Sequence, residues 1–112
     1  MKVLGIGRLG KDAELRRTTS GMAVANILLA WNYGKKGTDG MKPSQWLECS
    51  LFGAIAEKLA PYLKKGTQVF IDGRDLHVET FEKKDGSLGS KLCATLDSVE
   101  VIHERKKEEV PF

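Results

Sequence analysis

The stretch on which the fold turns is Gln45-Trp46-Leu47-Glu48-Cys49-Ser50-Leu51-Phe52-Gly53-Ala54-Ile55-Ala56-Glu57-Lys58-Leu59-Ala60-Pro61-Tyr62-Leu63-Lys64-Lys65-Gly66. From Gln45 to Phe52 it alternates with a period of two. Leu47, Cys49 and Leu51 share one face, and Trp46, Glu48, Ser50 and Phe52 share the other. This is the pattern of a half-buried strand. From Gly53 to Lys65 the period changes. Ile55, Leu59, Tyr62 and Leu63 recur at helical spacing, Pro61 should kink the helix, and Gly66 is a C-terminal cap.

Outward from this stretch the chain reads as short apolar runs punctuated by turns, with 12 glycines and 3 prolines. Lys2 to Leu9 is a first strand, and Glu14 to Thr19 its continuation after a kink at Gly10-Lys11-Asp12. Ala23 to Asn32 is a long second strand, and Tyr33 to Pro43 a lysine-bearing loop. Gln45 to Phe52 is then the third strand. Thr67 to Phe81 is the fourth, bent at Gly73, and Lys84-Asp85-Gly86-Ser87 is a hairpin turn. Ser90 to Ile102 is the fifth, broken near Asp97-Ser98. Five strands with one short helix between the third and fourth predict an all-β OB-fold, a five-stranded barrel, over residues 1–103. A short acidic and apolar tail follows over residues 104–112.

The 112 residues fit one domain, and a hydrophobic fraction of 41% is enough for a core. No segment is apolar for long enough to span a bilayer, and Lys2 to Arg8 does not read as a signal peptide. Two cysteines, Cys49 and Cys93, lack C-x-x-C spacing and read as small core residues of a reduced, cytoplasmic protein, nucleoid-associated if it binds DNA. The net charge of +3 hides an asymmetry. Residues 1–42 carry eight Lys/Arg against three Asp/Glu, which favours an anionic partner, nucleic acid first.

Enzyme signatures are missing from the sequence. Gly5-Ile6-Gly7-Arg8-Leu9-Gly10 fits G-x-G-x-x-G, but only four residues precede it and no packing helix follows. Its glycines read instead as places where a strand bends. His77 and His103 are solitary, no Cys/His/Asp cluster has metal-ligand spacing, and no nucleophile elbow is present. Neither catalysis, nor a metal, nor a cofactor is expected.

Trp46 and Phe52 carry the functional signal, as large aromatics on the polar face of an alternating strand. They could stack on bases, or pack under a loop or at a subunit interface. Trp31 and Tyr33, beside a loop with Lys35, Lys36 and Lys42, favour stacking next to phosphate neutralisation. Phe81 beside Lys83 and Lys84 repeats the combination. Gln68 and Phe70 on the outer face of the fourth strand suit an oligomer contact. Glu108-Glu109-Val110-Pro111-Phe112 reads as a linear motif whose ring and acids enter a pocket with a basic rim, or as a frayed end.

The chain resembles the bacterial single-stranded DNA-binding protein family. Gly7-Arg8-Leu9-Gly10-Lys11-Asp12-Ala13-Glu14-Leu15-Arg16 is similar to its G-N-L-G-x-D-P-E-x-R segment, and Gly21 with Ala23-Val24-Ala25-Asn26-Ile27 to its G-x-A-V-A-N-[IF] strand. Trp46 to Gly53, Ala56-Glu57, Tyr62 to Gly66 and Val69 to Gly73 resemble later segments in the same order, and Val110-Pro111-Phe112 the I-P-F tip. The resemblance implies a homotetramer that coats single-stranded DNA in replication, recombination and repair. It also implies that the tip recruits replication and repair proteins. By position, Trp46, Phe52 and Phe81 would stack, with Trp31 or Tyr33 as a loop aromatic, and Lys2, Arg16 and Lys65 would meet phosphates. Glu48, Ala54 and Glu79 stand where that family is often basic. The alternative expectation is a primosome-type or RNA-binding OB-fold accessory or interaction protein.

Overall fold

The computed structural model describes residues 1–38, 40 and 44–102. Lys42, His103 and the expected tip Glu108, Glu109, Val110, Pro111 and Phe112 lie outside the described residues. The described elements are β1 (Val3–Leu9), β2 (Glu14–Arg17), β3 (Ala23–Asn32), β4 (Ser44–Phe52), α1 (Ala54–Leu59), a 3-10 turn (Ala60–Tyr62), β5 (Gln68–Glu82) and β6 (Leu88–Val101). No helix among the described residues is long and apolar enough to cross a membrane.

The sheet runs β1-β5-β6-β4-β3-β2, and an added pairing of β1 with β3 closes five of its strands into a ring. β4 and β6 pair in parallel, from Glu48↔Cys93 to Leu51↔Leu96, and the other pairings are antiparallel. A parallel neighbour needs a crossover. Here it runs through α1 and β5. The helix thus stands between the alternating strand and the bent strand, as the sequence predicts for an OB-fold.

Alternation along each ring strand sets the core. Ile27, Leu47, Leu51, Leu63, Val69 and Ile71 are fully buried, and their burial stabilises by about 1.5–3 kcal/mol per large side chain. The helical segment differs in detail from expectation. Ala56 and Leu63 are the fully buried members, whereas Ile55 and Tyr62 are exposed. Pro61 sits in the 3-10 turn after α1, where its missing N–H costs no helical bond.

Two strand expectations are corrected. Glu14–Arg17 is a separate strand paired with β3 outside the ring, because the chain leaves β1 at Gly10, whose N–H donates to Leu28 O. β6 is continuous through Asp97. The register passes from Asp72↔Ser98 to Gly73↔Leu96, so Asp97 is accommodated as a bulge rather than a break. Both cysteines are buried, as the sequence predicts, and Cys49 belongs to the central core cluster. Cys93 pairs with Glu48 on β4 and His77 on β5, which places it in an outward row, 8% exposed beneath its neighbours.

Leu51→Ala should lower the unfolding free energy by about 2–5 kcal/mol. Leu88→Ala should change it by less than about 0.5 kcal/mol, because Leu88 is 76% exposed. Urea denaturation followed by far-ultraviolet circular dichroism measures both, and equal effects would contradict this placement of the core.

Candidate nucleic-acid interface

The outward residues of β3 and β4 form rows set by their register. Val24 lies beside Phe52, Asn26 beside Ser50, Leu28 beside Glu48 and Ala30 beside Trp46. β2 extends the first two rows with Arg16 and Glu14. Trp46 is 50% exposed and Phe52 43%. They stand six positions apart along the strand, or about 20 Å. Both rings are displayed on a hydrogen-bonded sheet rather than on a loop.

Two aromatic rings rest on glycine backbone. A Cβ added to Gly10 would lie 2.5 Å from Cζ3 of Trp46, and one added to Gly89 would lie 2.7 Å from Cζ of Phe81. Gly89 is also the cross-strand partner of Phe81. The absent side chains let each ring lie close to main chain. A groove of about 350 Å³ beside Trp46 runs between β4 and the β5–β6 hairpin, lined in part by Leu28, Glu48, Val78, Lys91 and Leu92.

Trp31 does not join this face. It follows Ala25, Ile27 and Leu29 at strand spacing and packs against the core, near Val3 and Ile6 at the edge of β1. Period-two alternation sends Trp31 to the face opposite Trp46's neighbour Ala30. Tyr33, just past the end of β3, is the 53% exposed aromatic of the loop.

The cations fall into two groups. Lys35 and Lys36 are exposed on the loop after β3, and Lys83 and Lys84 beside the hairpin turn. That turn is held by Asp85, which accepts from the Ser87 hydroxyl at 2.6 Å and from its N–H at 3.0 Å. These bonds lower the Asp85 pKa. Arg16 is exposed in the row that ends at Phe52. Lys65 is exposed, and its N–H donates to Asp12.

Lys2 belongs to the second group. Its Nζ lies 2.6 Å from Asp72 and 3.3 Å from Asp97. Both carboxylates raise its pKa, and the hydrogen bond to Asp72 is the largest influence. Its charge is already matched by carboxylates. Arg17 is paired with Glu57, and Arg74 with Asp97. Lys91 lies 3.3 Å from Glu48, so the carboxylate in the middle of the β4 face is partly neutralised.

A second outward surface lies across the ring. Ile6 pairs with Phe70 and Arg8 with Gln68. Leu4 is 62% exposed and Ile6 55%, while Gln68 and Phe70 are half-buried. Sequence reasoning missed Leu4 and Ile6. The signal was present, because glycine occupies the inward positions 5 and 7 and leaves the large apolar residues facing out.

The model of the single-strand binding protein family matches residues 1–102. A single-stranded DNA-binding protein of Oceanobacillus iheyensis is 36% identical over 101 residues, covering 90% of this chain and 62% of that protein. Single-stranded DNA-binding protein 1 of Chlorobaculum tepidum is 40% identical over 96 residues, covering 84% and 57%. The chain thus spans about three-fifths of the length of these relatives. Among solved structures, a deletion mutant of the single-stranded DNA binding protein from Thermus aquaticus aligns with a TM-score of 0.69 at 24% identity, covering 93% of this chain and 51% of that one. That likeness supports the OB-fold arrangement of the ring. With a family match over nearly the whole chain and relatives this similar, the chain belongs to the single-strand binding protein family.

Proposed function

We propose that this chain binds single-stranded DNA without sequence preference and without catalysis, by stacking bases on Trp46 and Phe52. The observation that carries the reading is this pair of half-exposed rings on the outward face of one strand paired on both sides, in a chain whose relatives are named for binding single-stranded DNA. Every base offers a π-face, so an aromatic platform tolerates any sequence. Phe81 and Tyr33 extend the platform at either side. Arg16, Lys35, Lys36, Lys65, Lys83 and Lys84 neutralise phosphates and release counterions. Lys2 contributes less, because binding a phosphate would require it to leave Asp72 and Asp97. Trp31 is assigned to packing.

Titration of tryptophan fluorescence with oligo(dT) tests this. Trp46→Ala and Phe52→Ala should each weaken binding by about 1–3 kcal/mol, and Trp46→Ala should remove most of the quenching. Trp31→Phe should leave affinity nearly unchanged. Affinity should fall linearly in log–log form with salt, with a slope of about −0.7 per phosphate neutralised. Unchanged affinity in both alanine variants with the fold intact would overturn the reading. Tighter binding to oligo(U) than to oligo(dT) would favour the RNA-binding alternative.

Self-association, as a homotetramer, is part of this proposal. Leu4, Ile6 and Phe70 make an apolar outer patch beside Gln68, and β1 pairs with β3 only at Arg8 and Leu9. The edge of β1 before Arg8 has no other pairing on that side among the described residues, and an unpaired strand edge invites another chain. Ile6→Lys should shift the mass seen by light scattering from tetramer toward monomer, and an unchanged oligomer would remove this surface from the interface.

Recruitment of replication and repair proteins is assigned to Glu108, Glu109, Val110, Pro111 and Phe112, acids beside an apolar pair that suit a pocket with a basic rim. The acids repel phosphates, so truncation before Glu108 should leave oligo(dT) affinity unchanged or slightly higher. Capture of such enzymes in a pull-down should be lost, and equal capture by the truncated chain would refute the assignment.

A further inference from the structure

We propose that His77, Glu79 and Cys93 form a binding site for a zinc-class divalent cation on the outer face of the β5–β6 pair. Spacing along the chain does not reveal it, because Cys93 lies 16 positions from His77. Strand pairing brings them together. His77 is directly opposite Cys93, and Glu79 is the next outward residue on β5. One ligand atom from each side chain lies within 4.8 Å of the others. A tetrahedral zinc ion with bonds of about 2.0–2.3 Å sets its ligand atoms roughly 3.3–3.8 Å apart, so rotamer adjustments of about 1 Å complete the set.

The histidine is already oriented. Its Nδ1 lies 2.5 Å from the Asp75 carbonyl oxygen, which can only accept, so Nδ1 carries the proton. That leaves Nε2 aimed at the site, 2.7 Å from Glu79 Oε2. A metal-bound histidine held by a backbone carbonyl through its other nitrogen is the usual supporting arrangement. Here the support comes from the irregularity between Arg74 and His77, where Asp75 takes φ +56. In the metal-free chain the Nε2–Glu79 contact is a proton-bridged pair, and both neighbours raise the His77 pKa. Burial, and then the Glu79 carboxylate, raise the Cys93 pKa.

One nitrogen, one carboxylate oxygen and one thiol select a borderline-soft cation such as Zn²⁺ over the all-oxygen preference of Mg²⁺ or Ca²⁺. Coordination places the ion where the bridging proton was. The Sγ proton and any Nε2 proton pass to solvent, and the thiolate and carboxylate are neutralised by the ion. Three protein ligands leave the fourth position to water. Neither stacking on Trp46 nor binding of DNA is needed for the site to exist.

Cobalt(II) titration of the reduced, full-length chain without DNA tests the proposal. One Co²⁺ per chain should give a near-ultraviolet sulfur-to-cobalt charge-transfer band with visible bands of a tetrahedral ion, and Zn²⁺ should displace it. Cys93→Ser should abolish the charge-transfer band, and His77→Gln and Glu79→Gln should each weaken binding at least about tenfold. Both of the latter are exposed substitutions, so they remain informative if the cysteine variant folds poorly. Cys49→Ala should retain the spectrum. Absence of the bands in the parent chain, or their persistence in His77→Gln and Cys93→Ser, would overturn the site and leave the DNA-binding reading untouched.

Discussion

The parallel pairing of β4 with β6 fixes the register of the aromatic strand within the ring, and the display of the outer face depends on it. The four registered pairs from Glu48↔Cys93 to Leu51↔Leu96 oblige alternate residues to point to opposite sides. Cys49 with Ala94 and Leu51 with Leu96 enter the core, while Glu48 with Cys93 and Ser50 with Thr95 face outward. A slip of one residue would turn Trp46 and Phe52 inward and expose Leu47 and Leu51. The burial energy of the small core therefore also fixes the position of the aromatics.

Rigid support matters for what those aromatics do. A ring that must be ordered on binding loses rotamer freedom, at about 0.5–1.5 kcal/mol for an immobilised side chain. Trp46 over Gly10 and Phe81 over Gly89 have part of that freedom removed beforehand by contact with the main chain. The β5–β6 hairpin differs from the ring in one respect. Its β5 residues from Arg74 to Glu82 are exposed apart from the half-buried Leu76, so few apolar contacts hold this arm. Segments of that kind open more readily than a core strand.

Charge is arranged on the same plan. Arg17 with Glu57, Arg74 with Asp97, and Lys2 with Asp72 are exposed surface pairs that add little to stability. Their larger consequence is local, because a paired cation offers less to a phosphate. The exposed lysines at positions 35, 36, 83 and 84 stand at loop tips flanking the aromatic strand. On the face between them, Lys91 lies against Glu48, and His77 against Glu79.

The sequence by itself determined the elements governed by near neighbours. Alternation over Gln45 to Phe52, the change to helical spacing after Gly53 and the hairpin at Asp85-Gly86 depend on residues only a few positions apart. They were legible together with the outward Trp46 and Phe52. Tertiary structure decided what depends on partners distant in the chain. The inward turn of Trp31 rests on which face of β3 meets the core, and the pairing of Lys2 on acids 70 and 95 residues away. The grouping of His77, Glu79 and Cys93 rests on cross-strand register after two irregularities, each of which shifts the alignment of every later pair. Composition and spacing carry no record of such shifts, because they arise only when two strands meet.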